Sequence, residues 1–226
     1  MFYQESAMNK EEKEERKLTE SEKNRLDAFN RQIAALEQDG YVKKDLLISG
    51  DQANFVGPLY GFLTALPFIV LYFLTMRELP EWKTLGFLRT AGLLIFYFVL
   101  IILHELIHGL TWSRFTKNGF RSISFGVIWR SLNPYCTCSE PLPKAHYLAG
   151  CLMPWFVLGI IPCIAGLIMH NGFLLFTGVI MALSAGGDLL IAQKILAQKS
   201  DGETLFLDHP TEIGLVCLEK NRSDLS

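Results

Sequence analysis

The pattern His104-Glu105-Leu106-Ile107-His108 contains the residue types in this chain that are best suited to chemistry. Residues four apart on a helix lie on one face, one turn apart, so both imidazoles can reach a single metal ion. Glu105 follows the first imidazole directly and can take a proton from a metal-bound water molecule. The spacing therefore predicts a zinc (Zn2+) site with His104 and His108 as ligands and Glu105 as the general base.

The position of this pattern strengthens the prediction. It lies near the end of a long apolar run, Gly86–Leu110. An ionisable group at the centre of a membrane helix costs on the order of 2.5–3.5 kcal/mol on insertion scales. A purely structural interpretation needs a separate hydrogen-bond partner on neighbouring helices for each of the three ionisable side chains.

A catalytic zinc ion keeps three protein ligands and leaves one position for water or substrate. Asp188 is the only other carboxylate within an apolar run, and we predict that it is the third ligand. At ~1.5 Å per residue, Thr90 and His104 are separated by about 21 Å of helix. Phe173 and Asp188 are separated by about 22 Å, which places both groups at a similar depth. The other candidates lie in loops and in the tail: Glu140, His146, His170, Asp201, Asp208 and His209.

Small residues precede Asp188, in the run Ser184-Ala185-Gly186-Gly187. Such a run lets two membrane helices approach closely, as a short side chain needs if it is to reach a metal ion held by another helix. In the alternative interpretation, Asp188 lies on a packing face and bonds a backbone or hydroxyl group.

Hydrophobic residues make up 50% of the chain, and the mean hydropathy is +0.25. They are concentrated in the runs Gly57–Met76, Gly86–Leu110, Tyr147–Met169 and Gly172–Ala197. Each run is close to the ~20 residues that a helix needs to cross a ~30 Å hydrocarbon core. The pattern predicts an all-α membrane protein with about four transmembrane helices. The short link at 170–172 predicts a tight antiparallel hairpin of the last two runs.

The segments outside these runs have different patterns. Residues 1–39 are highly charged with one narrow apolar stripe, which predicts a soluble helix docked on the rest of the protein; a partner-binding helix is the alternative. Residues 121–138 partly alternate polar and apolar around a turn signal, which predicts a small cytoplasmic β-hairpin. The expected units are therefore a charged cytoplasmic helix at 1–39, a multi-pass membrane domain at 40–200 and a cytoplasmic tail at 201–226. A strand-like segment lies at 214–218 in this tail.

Charge distribution predicts the orientation. The second loop carries Arg114, Lys117, Arg121, Arg130 and Lys144 against one acid, Glu140. This bias favours the second loop and both termini on the cytoplasmic side.

The formal net charge of -2, without a basic patch interleaved with aromatic residues, gives no reason to expect a nucleic-acid partner.

Five cysteines, an odd number, argue against a disulfide scaffold. Cys136 and Cys138 form a C-x-C pair in the second loop, without the second pair that a structural zinc site needs. We interpret them as loop residues, with a redox or inhibitory role as the alternative.

Asp208-His209-Pro210 is typical of a turn, and a contact to the metal ligands or the metal itself is the alternative.

The chain resembles the putative zincin peptidases, a family of small bacterial membrane proteins that is related in motif to the site-2 proteases. The matching stretches are His104–Leu110, Tyr135–Leu142, Gly187–Ile191 and Asp208-His209-Pro210, within about residues 40 to 215. By the site-2 pattern, His104, His108 and Asp188 are the zinc ligands and Glu105 is the catalytic base. The site-2 aspartate usually stands in Leu-Asp-Gly, whereas this chain has Gly-Gly-Asp-Leu-Leu.

Together, the residues and the resemblance predict a membrane zinc metallopeptidase in the bacterial cytoplasmic membrane. Its expected partners are the lipid bilayer and a peptide or membrane-protein substrate. The alternatives are a metal-binding membrane protein without peptidase activity and a transporter of metal ions or protons.

Overall fold

A computed structural model describes residues 19–75, 87–128, 133–199 and 202–220. The first part of the predicted N-terminal helix, residues 1–18, lies outside the described residues. The same holds for Arg130, which contributed to the predicted orientation, and for Asp201, one of the candidate ligands.

Helices make up most of the described chain. They are α1 (Glu20–Gln38), α2 (Gly57–Thr75), α3 (Phe87–Ser113), α4 (Lys144–Pro154), α5 (Ile161–Ile168), α6 (Gly172–Ser184) and α7 (Gly186–Leu196). Short π-helical turns lead into α2 (Gln52–Val56) and join α4 to α5 (Trp155–Ile160). Within the described ranges, three stretches are long and apolar enough to cross a membrane: Gln52–Thr75, Leu88–Ser113 and Lys144–Ile168. The pair α6 and α7 passes the same test as one bent unit, so the structure contains three or four candidate spans.

The outward surface of α3 is apolar over most of its length. Leu88 is 83% exposed, Ile95 66% and Phe98 64%. An extended apolar surface of this kind is unfavourable in water and is typical of a helix that contacts another apolar phase. The helix therefore has the surface that a membrane span requires.

Helices α5 and α6 form the tight antiparallel hairpin that the link at 170–172 predicted. His170 takes the turn with a φ of 51°, and the Asn171 side chain caps the first turn of α6. Glycine allows the two helices to touch, because a Cβ on Gly166 would lie 2.5 Å from the Leu175 nitrogen.

The fourth apolar run is bent instead of forming one continuous helix. Helices α6 and α7 meet at Ala185 with an angle of 52°. At the bend, Gly186 packs so closely on Gly57, at the start of α2, that a Cβ on Gly186 would overlap the Gly57 backbone. The small residues before Asp188 therefore allow close contact with α2. We had expected them to allow close contact with α3, the helix that carries His104. The bend places Asp188 in the first turn of α7.

The described residues form two antiparallel sheets. The predicted hairpin is confirmed as strands β2 (Ile123–Ile128) and β3 (Asn133–Cys138), which pair with each other. A second sheet has the order β1-β6-β5-β4 and consists of β1 (Tyr41–Leu47), β4 (Leu142–Pro143), β5 (Leu205–Asp208) and β6 (Gly214–Lys220).

The four-stranded sheet corrects the prediction of an all-α fold. The sequence indicated only the segment at 214–218, which lies within β6. Strand β1 was missed because Lys43, Lys44 and Asp45 interrupt its apolar pattern. Charged residues are common on edge strands, where they discourage pairing with other chains, and β1 is an edge strand of this sheet.

Helix α1 docks on the four-stranded sheet. Thr19 and Glu22 form a capping box at its start. Phe29 and Ile33 are buried in a cluster with three residues of the sheet, Leu207, Val216 and Leu218. The docked helix agrees with the expected packing of the apolar stripe. These contacts connect segments that we assigned to the units 1–39, 40–200 and 201–226, and the unit boundaries stay a prediction.

We expect Gly166→Ala to destabilise the protein by about 1–3 kcal/mol, because the new Cβ would overlap the backbone of α6. The matched control is Gly92→Ala on α3, where a Cβ would meet nothing within 4 Å. That change should leave the unfolding temperature unchanged or slightly higher. Thermal unfolding of the two detergent-solubilised variants measures the difference, and equal unfolding temperatures would contradict the close packing of the hairpin.

Candidate metal centre

The second half of α3 carries both histidines and the glutamate of the HExxH pattern. His104 and His108 lie on one face of the helix and are 7% and 4% exposed. Their ring centroids are 4.9 Å apart, and their Nε2 atoms are separated by 3.2 Å. The helical spacing thus directs both imidazoles to one point, as the sequence predicted.

Asp188 reaches the same point from the first turn of α7. Its carboxylate lies 3.0 Å from Nε2 of His104 and 3.4 Å from Nε2 of His108. One donor atom from each of the three residues lies within 4.8 Å of the others. The structure therefore brings together the three side chains that we predicted as ligands, in a geometry that could hold a metal ion.

Helix α4 fixes the orientation and the tautomer of His108. The carbonyl oxygen of Gly150 accepts a hydrogen bond from Nδ1 of His108 at 2.8 Å. A carbonyl cannot donate, so Nδ1 carries the proton and Nε2 keeps its lone pair for the site. The Trp112 ring stacks on His108 at 5.2 Å, and its N–H donates to the carbonyl of Tyr147.

These supporting residues were not singled out from the sequence. Trp112 lies four residues after His108, so helical spacing could have suggested the stacking. Nothing in the sequence indicates that the carbonyl of Gly150, 42 residues away, accepts the proton of His108. Gly150 allows this contact because a Cβ there would overlap the Trp112 indole.

The donor atoms fit a zinc ion. Two imidazole nitrogens and one carboxylate oxygen are a common ligand set for zinc. Three polar atoms converge in a largely buried position, and lone pairs on all three would repel one another unless a proton or a metal ion lies between them. The nitrogen of His104 that contacts the other two side chains is Nε2. The other ring nitrogen, Nδ1, is buried and has no hydrogen-bond partner among the described residues.

Glu105 lies beside this group and faces strand β3. The backbone N–H of Cys136 donates a hydrogen bond to its carboxylate. Glu105 lines a cavity of about 620 Å³ together with His104, His108 and Asp188. The base predicted from the sequence thus lines the same cavity as the predicted ligands.

The alternative third ligands that the structure describes have other contacts. Glu140 accepts hydrogen bonds from Ser122 and from the backbone N–H groups of Lys117 and Asn118. His146 stacks on Phe115 with ring centroids 4.2 Å apart. Among the described residues, His104, His108 and Asp188 form the only group with the geometry of a metal site.

Asp208 lines the same cavity at the end of β5. Its carboxylate accepts a hydrogen bond of 2.6 Å from the Cys138 N–H and a second one from the Tyr147 hydroxyl. Burial raises the pKa of the Asp208 carboxyl to about 6, although the hydrogen bonds lower it. Asp208 therefore connects the tail to β3 and α4. Neither partner is one of the predicted metal ligands, so the contact to the metal site stays a prediction.

The thiols of Cys136 and Cys138 face low-polarity surroundings. Burial raises the pKa of the Cys136 thiol well above its usual range and raises the pKa of the Cys138 thiol to about 12, and the carboxylate of Asp208 adds to both shifts. Both thiols are therefore protonated near neutral pH when no metal ion is bound. The two cysteines lie in strand β3 and not in the loop that we expected, and a redox or inhibitory role stays a prediction.

Apolar helices, a small sheet and a buried His-His-Asp group define a predominantly helical protein with a candidate metal centre. Residues 97–202, a little under half of the chain, match the model of the family described as putative zincin peptidase. The family resemblance is thereby confirmed over a narrower range than about 40 to 215. The family description indicates a zinc metallopeptidase. No match was found among curated proteins or among solved structures.

The matched range contains all four predicted site residues, His104, Glu105, His108 and Asp188. Strands β5 and β6 lie outside this range. Asp208 therefore supports the site from a part of the chain that the family match does not include.

We expect Asp208→Asn to flatten the pH dependence of stability between about pH 4 and 6. The pKa of Asp208 is about 6 in the folded protein and 3.8 by reference, so the folded state binds the proton more tightly. Wild-type stability should therefore fall as the pH rises through this window, by on the order of 1–3 kcal/mol. The Asn variant cannot ionise, and its amide oxygen can still accept from Cys138.

Unfolding curves of both proteins at pH 4.5 and pH 7.5 measure this effect. The stability of the variant relative to wild type should increase toward the higher pH. Contributions from other titrating groups are common to both proteins and cancel in the comparison. Parallel pH profiles would show that Asp208 ionises normally in the folded protein.

Proposed function

We propose that the protein is a membrane-embedded zinc metallopeptidase that hydrolyses peptide bonds at the cytoplasmic side of the membrane, in the manner of the site-2 proteases. The observation that carries the proposal is the convergence of His104, His108 and Asp188 on one point, with Glu105 on the wall of the same cavity. The match to a zincin peptidase family supports the same reaction class.

In the proposed reaction, His104, His108 and Asp188 would hold a zinc ion, which would supply an activated water molecule and polarise the peptide carbonyl. The Glu105 carboxylate accepts a proton from the attacking water and returns it to the amine that leaves. The bond from His108 to Gly150 keeps Nε2 directed at the site. The largely buried position of the group limits the access of bulk water.

Strand pairing supports four membrane crossings. Strand β1 precedes α2, β4 lies between α3 and α4, and β5 and β6 follow α7, yet all four strands belong to one sheet. If the helices cross a membrane, the chain must cross it an even number of times between any two of these strands. Between β1 and β4, α2 would cross the membrane and α3 would cross back. Between β4 and β5, the stretch of α4 and α5 would make a third crossing, and the bent pair of α6 and α7 would make a fourth in the opposite direction.

The same pairing supports a position of the sheet, the hairpin and α1 on one side of the membrane. In the described part of the second loop, Arg114, Lys117, Arg121 and Lys144 give that side a positive character. The positive-inside rule then assigns it to the cytoplasm, with both ends of the described chain. The orientation expected from the sequence becomes part of the proposal on this basis.

Strand β3 is proposed to hold the substrate in an extended conformation. Residues Pro134 to Thr137 line the cavity of about 620 Å³ beside the predicted metal ligands, which we call the central cavity. The outward N–H groups of Cys136 and Cys138 are bonded to Glu105 and Asp208. A substrate strand that pairs with this edge would therefore take the Cys136 N–H from Glu105, which frees the base for the reaction.

We expect Glu105→Gln to reduce peptide cleavage by about 10²–10⁴-fold while zinc stays bound, because the amide cannot accept the proton. His108→Ala should lose both zinc and cleavage. His146→Ala, which removes an imidazole that stacks on Phe115 outside the site, is the matched control and should retain both. Elemental analysis of the purified proteins measures zinc, and a comparison of membrane proteomes from wild-type and Glu105→Gln cells identifies a fragment that depends on Glu105.

Two results would refute the proposal. One is a wild-type protein that binds no zinc. The other is a set of fragments that is identical in wild-type and Glu105→Gln cells although the variant protein is present. A zinc-loaded protein with no Glu105-dependent fragment would instead be a metal-binding protein or a metal carrier.

A proline substitution tests the role of the β3 edge. Cys136→Pro removes the outward N–H, whereas Cys136→Ala removes the thiol and keeps the N–H. The position directs its N–H away from β2, so proline should leave the hairpin paired. We expect slower cleavage in the Pro variant than in the Ala variant, at equal zinc content. Equal turnover of the two variants would remove the edge from the mechanism.

A further inference from the structure

A second cavity opens beside the catalytic base. It has a volume of about 250 Å³ and lies between α3 and the β2–β3 hairpin. Ile102 and Leu106 line it on the helix side, and Phe125, Gly126 and Tyr135 line it on the hairpin side. Glu105, Pro134 and Tyr135 line both this side cavity and the central cavity, so the two spaces meet at the base.

The lining of the side cavity selects for apolar groups. Glu105 is its only residue with a charged side chain, and the other residues present carbon atoms and one phenol. Apolar surface that is removed from water contributes about 25 cal/mol per Å² to binding. A polar or charged group that cannot pair with Glu105 or the phenol would lose its hydration there without gaining a partner.

The wall formed by Tyr135 is held in place from two sides. The guanidinium group of Arg25 on α1 donates to the Tyr135 hydroxyl at 3.3 Å. Tyr135 pairs across the hairpin with Gly126, where any Cβ would overlap the phenol ring. A fixed wall gives the side cavity a defined size, so that it can distinguish side chains by their bulk.

We propose that the side cavity is a specificity subsite that binds one bulky apolar side chain of the substrate, next to the bond that is cleaved. This inference rests on the proposed peptidase function. A peptide extended along β3 projects successive side chains to opposite sides of its backbone. With its carbonyl near Glu105 and the metal ligands, the neighbouring residue lies within about 3.8 Å along the chain. Its side chain can therefore enter the space between β3 and α3.

Ile102 is the residue to vary, because it lines the side cavity but not the central one and is 51% exposed. Ile102→Trp should fill the subsite, and Ile102→Ala should enlarge it. The matched controls are Ile95→Trp and Ile95→Ala, which change the same residue type on the same helix, at a position 66% exposed that lines neither cavity.

The experiment uses the full-length, zinc-loaded protein in detergent and a peptide library prepared from a digested proteome. Mass spectrometry of the new termini gives the residue preference at each position around the cleaved bond. We expect the wild type and both Ile95 variants to prefer Leu, Met or Phe at one position next to this bond. Ile102→Trp should shift this position toward Ala and Gly by about tenfold or more, and Ile102→Ala should shift it toward larger residues. Preferences at the other positions should not change.

The possible outcomes separate the subsite from the peptidase function. If the wild type cleaves in a Glu105-dependent manner but both Ile102 variants keep its preferences, the subsite is refuted and the peptidase stands. If no cleavage depends on Glu105, the proposed function fails and the subsite fails with it. A phospholipid with a photoreactive acyl chain tests the other possible occupant. Cross-linking that is lost in Ile102→Trp while cleavage preferences stay the same would assign the cavity to lipid and overturn the proposal.

Discussion

The structure depends on one electrostatic constraint: two imidazole nitrogens and a carboxylate meet within 4.8 Å in a largely buried position. Electron-rich atoms that converge where water has little access repel one another, and the repulsion is stronger than it would be in water. A cation between them converts this repulsion into attraction. The surrounding helices hold the three side chains at this short separation.

Close helix packing provides this arrangement. Gly150 brings α4 against Trp112 on α3, so that the Gly150 carbonyl reaches His108. Gly186 brings α7 against α2, and the bend at Ala185 presents Asp188 at the start of a helix. The partial positive charge at a helix N-terminus favours a carboxylate there. Side-chain chemistry and backbone geometry at the bend therefore favour the same ionised aspartate.

Sequence alone predicted which side chains meet at the site, but it did not predict the contacts that support them. The His104 and His108 spacing is local, so a helical repeat of 3.6 residues is enough to place both imidazoles on one face. Asp188 could be selected because a carboxylate in an apolar run needs a reason to be there. The Gly150 carbonyl and the hydrogen bonds of Asp208 depend on contacts between distant segments, and no sequence period records such contacts. Strand β1 was missed because its charged residues, which are suited to an edge strand, interrupt the alternation of polar and apolar residues.

The pairing of β1 with β6 also determines the order in which the protein can be completed. Tyr41 emerges from the ribosome early, but its partner in the sheet is Lys220, close to the end of the chain. Asp208, which holds β3 beside the base, is also synthesised after the last helix. Helices α2 to α7 are therefore synthesised before β1 can pair with β6 and before Asp208 can bind β3 next to Glu105. Long-range pairing of this kind forms late, so the nascent chain cannot hold the finished arrangement around the base until the residues of β6 have been synthesised.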